Sequence, residues 1–160
     1  MFIRLSDLGS TWPASRPSTG IAQPMPYRSP ELLFGLQWSK EVDMWGWGMV
    51  AYLRPDIWGL YDRLPEESSL DMTQIYEDRV RYDIFHDFRL SLAPYYQQCK
   101  DCWPRLDPER EEITIRSILK YLEFLEEDIL LLERVLIPDP KLRPTVKEIL
   151  HNGWLDGKCV

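Results

Sequence analysis

Five prolines, Pro13, Pro17, Pro24, Pro26 and Pro30, fall between Ser10 and Pro30. Each fixes φ and removes a backbone donor, so this stretch forms neither a regular helix nor a central strand. It must be a long irregular loop, and loops of that length in compact domains are usually functional or disordered. Directly after the last proline comes Glu31, in "PYRSPELLFG" at Pro26 to Gly35, at the head of an apolar run. A carboxylate drawn into a core there costs several kcal/mol if unpaired, as a rough magnitude, and is tolerable only with a cation or several donors. Either Glu31 stays at the surface or the chain holds a basic partner for it elsewhere.

A chain of 160 residues is long enough for one domain with a real core and too short to expect two. Its 44% hydrophobic content and seven tryptophans argue for a folded protein with large rings in a core or interface. Against 26 Asp and Glu stand 19 Lys and Arg, a formal net charge of -7, so no overall basic field exists to hold nucleic acid. Basic partners suit that balance better.

The start "MFIRLSDLGS" meets charges at Arg4 and Asp7 and has no apolar core of signal-peptide length. The richest apolar stretch, "ILLLERVLI", is broken by Glu133 and Arg134 and is too short to span a bilayer. These features lead to the expectation of an intracellular protein, cytoplasmic or nuclear, with no membrane partner. Three cysteines make a poor disulfide framework, which fits that compartment. Cys99 and Cys102 form a C-x-x-C, "CKDC", but no second pair or His-x-x-x-His completes a zinc site, and two ordinary thiols are expected.

Along the chain, "FIRLS" at Phe2 to Ser6 alternates as a short strand does, and "DLGS" reads as a turn. "PELLFG" predicts one helical turn, with Pro30 at the tolerated first position and Gly35 as its stop. "EVDMWGWGMVAYL" is apolar on nearly every side, which predicts a buried central helix interrupted by Gly46 and Gly48 and ended by Pro55. The pattern weakens from Asp56 to Pro108, where "MTQIYEDRVRYDIFHDFRL" has the makings of helical turns and "SLAPYYQQCKDCWPRLDPE" looks irregular. From Ile113 to Ile137 a helical apolar spacing returns, giving one long helix or two in succession. "IPDPKLRP" breaks it, and "TVKEIL" begins a last helix, with Thr145 and Glu148 at capping-box spacing and Ile149 and Leu150 facing inward.

Four pieces stand in order: "DLG" at Asp7 to Gly9, "SPE" at Ser29 to Glu31, "DMWGWG" at Asp43 to Gly48, and "PDPKLRPTVKEILHNGWL" at Pro138 to Leu155. This order and spacing resemble the C-terminal lobe of a eukaryotic protein kinase. "PYRSPELLFG" and the leucine of "DLG" look most like the serine/arginine-rich protein kinase family of the CMGC group. The resemblance implies a mainly α chain, the truncated C-terminal lobe of a kinase-like α+β fold, with a short β-hairpin or strand at its N-terminus. It divides residues 1–156 into a metal-binding turn and activation segment (1–31), a central helix region (32–55), a divergent connection or insert (56–112) and terminal helices (113–156).

In such a lobe the motif's glutamate pairs with an arginine before the final helix, and "KLRPT" supplies Arg143 in that place. The resemblance gives Asp7 the role of holding Mg²⁺ that bridges ATP phosphates, a task suited to a carboxylate on a tight turn. It sets Pro26, Tyr27 and Arg28 against a protein or peptide substrate, one rich in Arg if the subfamily resemblance holds. Asp43 resembles the aspartate that accepts hydrogen bonds from the catalytic loop's backbone, and Trp45 packs in the core. Asp43 is equally an acid favourable to a helix N-terminus. Ser10, Thr11, Ser15, Ser18 and Thr19 are candidate phosphosites, and equally ordinary solvated hydroxyls.

One departure stands out. Serine/threonine kinases usually carry Thr or Ser three residues before the tyrosine, and this chain has Pro24. The 160 residues also hold no Gly-rich phosphate loop, no strand lysine paired with a helix glutamate and no "HRD" loop; His86, in "IFHDF", lacks the following Asn. In the resemblance those parts would lie before Met1. The expectation is a serine/threonine kinase portion inactive as this isolated chain, with a protein-binding remnant of such a lobe as the other reading.

Overall fold

The computed structural model describes residues 11–13, 15–52, 70–105 and 114–153. Within them the chain is mainly helical. The strand expected at Phe2 to Ser6 lies outside the described residues. So does Asp7.

The proline-rich loop is irregular, as its composition demands. Its anchor is a single antiparallel bridge, in which the amides of Ser18 and Trp38 each donate to the other's carbonyl at 2.8 Å. The Trp38 indole donates to the Gly20 carbonyl at 2.7 Å, fastening the loop a second time. A 3₁₀ turn at Met25–Tyr27 then delivers the chain to α1, Pro30–Leu33. Gly35 ends that turn with φ of 64°, a conformation that disfavours side chains with a Cβ.

Helix α2, Glu41–Tyr52, buries Val42, Met44, Trp45 and Met49. The expected interruption at its glycines does not occur, and the helix runs through both. Close packing explains why they are glycines: a Cβ on Gly48 would sit 2.7 Å from side-chain atoms of Val135 and Leu136, and one on Gly46 would meet the Gln23 amide at 2.7 Å. The helix is also less enclosed than its composition suggests, because Asp43, Trp47, Val50 and Ala51 are exposed along one stripe.

The scattered turns expected after Met72 are in fact one long helix, α3, Leu70–Asp87. Val80, Ile84 and Phe85 form its buried stripe, while Arg79 and Asp83 pair at 2.7 Å along the helix. Beyond it, the stretch read as irregular forms two 3₁₀ segments, Leu90–Leu92 and Pro94–Cys102, the second kinked at Cys99. They place Leu90 and Tyr96 in the core.

The apolar run from Ile113 resolves into two helices, α4 at Ile115–Tyr121 and α5 at Glu126–Val135. Glu123, at φ 59°, turns the chain between them. Arg116 of α4 reaches across to Glu126 and Glu133 of α5. The last helix, α6 at Val146–His151, has the reciprocal capping box at Thr145 and Glu148. Ile149 is buried there, but Leu150, expected to face inward, is 56% exposed. A helix of under two turns presents one stripe, and Ile149 occupies it against Met44, Leu131 and Val135.

Candidate functional site

Glu31 and Arg143 meet, although 112 residues separate them in sequence. Proline at the first position of α1 and the bend at Gly35 turn Glu31 inward, and the 3₁₀ turn Pro140–Leu142 presents Arg143 from the opposite side. Arg143 Nη1 donates to Glu31 Oε1 at 2.5 Å and Nη2 to Oε2 at 2.7 Å. Both side chains are fully buried. The carboxylate after a proline therefore has a cation.

The remaining donors of Arg143 are used as well: Nε binds the Ile137 carbonyl at 2.8 Å, Nη1 that of Glu41 at 3.2 Å, and Nη2 that of Pro138 at 2.7 Å. One guanidinium thus ties α1, the start of α2 and the chain entering α6. Its central carbon lies over the Trp45 ring, 5.0 Å from the centroid.

Tyr96 completes this centre, and no sequence signal marked it. Its hydroxyl donates to the Pro138 carbonyl at 3.0 Å and lies 3.4 Å from Glu31 Oε2. Burial, and then the negative charge of Glu31, push its phenol far above the ordinary value, so it remains a donor. The ring itself sits edge-on to Phe34.

The loop segment before α1 is held from within. Gln23, at φ 63°, donates through Nε2 to the Val42 carbonyl at 2.7 Å and accepts the Ser29 amide on Oε1 at 3.1 Å. Pro26 and Tyr27 are half-buried. Arg28 points toward α3, with Nη1 3.2 Å from Glu77 and Nη2 3.4 Å from the Gln23 carbonyl. A cavity of about 370 Å³ opens here, lined by Arg28, Arg81, Glu77, Thr19, Phe34 and Cys102 among others.

Trp45 is wholly buried, packed 4.7 Å from Phe88. Asp43 is not beside it. Asp43 instead lies on the exposed stripe of α2, in its first turn, at the rim of a cavity of about 340 Å³ that Trp12, Trp38 and Val42 also line. Two positions along a helix separate side chains by about 200°, so Trp45 inward sends Asp43 outward. Partial desolvation at that rim still raises its carboxyl above the usual aspartate value. The structure thus unites Glu31, Arg143 and Trp45, sets Pro26, Tyr27 and Arg28 on an adjoining segment, and leaves Asp43 apart.

Asp7, the residue expected to hold Mg²⁺, is not among those described. Among the described residues no cluster of three or more His, Cys, Asp and Glu side chains is placed to hold a metal ion. No helix among them is long and apolar enough to cross a membrane.

No protein-family model matches the chain. Over 50 residues, 31% of the chain and 12% of the relative, it is 42% identical to serine/threonine-protein kinase AFC3 of Arabidopsis thaliana. Over 95% of the chain it is 28% identical to dual specificity protein kinase lkh1 of Schizosaccharomyces pombe, of which the match covers 23%. The chain therefore spans less than a quarter of either curated relative. Its mainly helical architecture is compatible with the C-terminal lobe of such proteins. What the two matches have in common is similarity to protein kinases.

Proposed function

We propose that the chain is the C-terminal part of an ATP-dependent serine/threonine protein kinase domain, of the serine/arginine-rich protein kinase type. The observation that carries this reading is the Glu31–Arg143 pair, which locks the end of the proline-rich loop onto the helical base. A loop that must present a peptide hydroxyl in a fixed place needs such an anchor, because phosphoryl transfer depends almost wholly on positioning and electrostatics. In this reading residues 1–31 are the metal-binding turn and activation segment, and Pro26, Tyr27 and Arg28 face the substrate. Asp7 would supply a hard anionic ligand for Mg²⁺, and through it for ATP, together with kinase parts that the 160 residues do not contain. The acidic surplus of the chain favours Arg-rich peptides.

A second reading draws on the same acidic surplus, a kinase-lobe remnant that binds a basic protein without phosphorylating it. The test is a fusion of the chain behind a kinase segment carrying the Gly-rich loop, the strand lysine and the HRD loop, first checked for a cooperative melt. The kinase reading expects transfer from labelled ATP to an Arg-rich serine peptide, falling as salt screens the attraction, and none by the isolated chain. A folded fusion that binds the peptide but transfers nothing favours the remnant. Equal turnover of acidic and basic peptides at low salt removes the subfamily.

A further inference from the structure

The kinase reading makes no use of the C-x-x-C at Cys99 and Cys102. Both thiols are free, Cys99 buried and Cys102 exposed. They share the 3₁₀ segment Pro94–Cys102, whose last turn is closed by the Trp103 amide donating to the Lys100 carbonyl at 3.2 Å. Three residues make one 3₁₀ turn at about 2.0 Å rise each, so positions three apart eclipse with Cα atoms roughly 6 Å apart. That lies inside the span of roughly 4.4–6.8 Å that a disulfide bridges. The kink at Cys99 does not alter this, because the dihedrals of Lys100 and Asp101 set the separation.

The two thiols also differ in access. Cys102 lines the cavity of about 370 Å³ beside Arg28 and is open to a small oxidant. Cys99 donates its thiol proton to the Tyr96 carbonyl at 3.2 Å, inside the core. Burial above all pushes the Cys99 thiol up, and Cys102 adds to the effect, as a near neighbour must.

We infer that Cys99 and Cys102 are a reversible oxidation site, which a hydroperoxide closes to a disulfide across one 3₁₀ turn. The exposed Cys102 sulfur attacks the peroxide oxygen, the O–O bond breaks, and water or an alcohol leaves. The resulting sulfenic acid is attacked by the Cys99 sulfur, which loses its proton to the departing hydroxyl as the S–O bond breaks and water leaves. Two thiols have then given up two electrons to the peroxide. Closure removes the Cys99 hydrogen bond to the Tyr96 carbonyl, which keeps the Trp103 indole at 3.3 Å, and draws Cys102 inward from the wall beside Arg28. Oxidation therefore acts on the segment just before α1 and on the residue that braces Glu31.

The test uses the full 160-residue chain with Cys159→Ser, which leaves only this pair. Hydrogen peroxide treatment is followed by intact mass, thiol alkylation and tryptic mapping, where cleavage after Lys100 separates the two cysteines. The expected result is loss of two hydrogens, loss of both alkylatable thiols, one cross-linked pair of fragments, and full recovery with dithiothreitol. Adding Cys102→Ser, at an exposed position, abolishes the cross-link. A glutathione redox titration should show the pair at least tenfold more prone to close in the native chain than in urea. Oxygen addition to a single cysteine, disulfide-linked dimers, thiols that stay alkylatable, or equal closure in urea would each overturn the inference.

Discussion

Arg143 sits over the Trp45 ring while all five of its N–H groups are engaged, two by Glu31 and three by the carbonyls of Glu41, Ile137 and Pro138. This arrangement explains the residue type. A planar fork with five donors serves the two carboxylate oxygens and three carbonyls at once, and an ammonium with three donors does not. Desolvation offsets most of the attraction, so the centre fixes geometry more than it adds net stability.

Arg143→Lys should therefore behave as a damaging change despite the retained charge. At least two of the five acceptors lose their Arg143 donor, and each hydrogen bond left unmade in the core costs roughly 1–3 kcal/mol. Denaturant unfolding measures the loss, and a variant as stable as wild type would show that the fork geometry is immaterial.

Gly48→Ala should destabilise the chain, although alanine favours a helix by about 1 kcal/mol over glycine. The added methyl would lie 2.7 Å from Val135 and Leu136 side-chain atoms, and overpacking of this kind costs roughly 1–3 kcal/mol. A rise in melting temperature would mean that α2 and α5 are not in contact.

Ser29→Ala should be neutral or stabilising by about 1 kcal/mol. Ser29 is fully buried at the N-cap of α1, yet its side chain makes no capping bond and its hydroxyl has no partner among the described residues. The amide of Ser29, held by Gln23, is what orders the turn. A loss above the error of the measurement would reveal an acceptor for the hydroxyl.

Asp43→Asn carries a pH signature. A folded carboxyl raised above its unfolded value of about 3.9 binds protons more readily in the native state. Its ionised form thus weighs against folding at neutral pH, and that cost disappears as pH falls through the raised value. The Asn variant lacks this titration, so wild type should gain in melting temperature relative to it between neutral and acid pH. A difference that stays flat, or moves the other way, would show that the site is not desolvated.

The pairing of Glu31 with Arg143 was legible because charge in an apolar run demands a partner, and the order of the motifs named one. The capping box at Thr145 was legible because it is local. Helix α3 was obscured because its buried apolar positions are few and sit among Glu77, Asp78, Arg79, Arg81 and the buried Asp83, which satisfy one another or the ends of neighbouring elements. Tyr96 left no trace in the sequence, since its hydroxyl partner Pro138 lies 42 residues away and its own segment has no regular period. The exposure of Asp43 depended on which stripe of an almost uniformly apolar helix would face the core. Trp45, with Arg143 above it and Phe88 beside it, decides that rotation.

The most direct test of the account is a double-mutant cycle on Glu31→Ala and Arg143→Ala, read by denaturant unfolding of the 160-residue chain. Each single change strands a buried charge, and losses of about 3–5 kcal/mol are expected. Arg143→Ala should cost more, because among the described residues Glu31 then has only the Tyr96 hydroxyl at 3.4 Å, whereas without Glu31 the guanidinium retains three carbonyls. The double variant should lose clearly less than the sum. Strictly additive losses would contradict the buried pair, and with it the anchor on which the kinase reading rests.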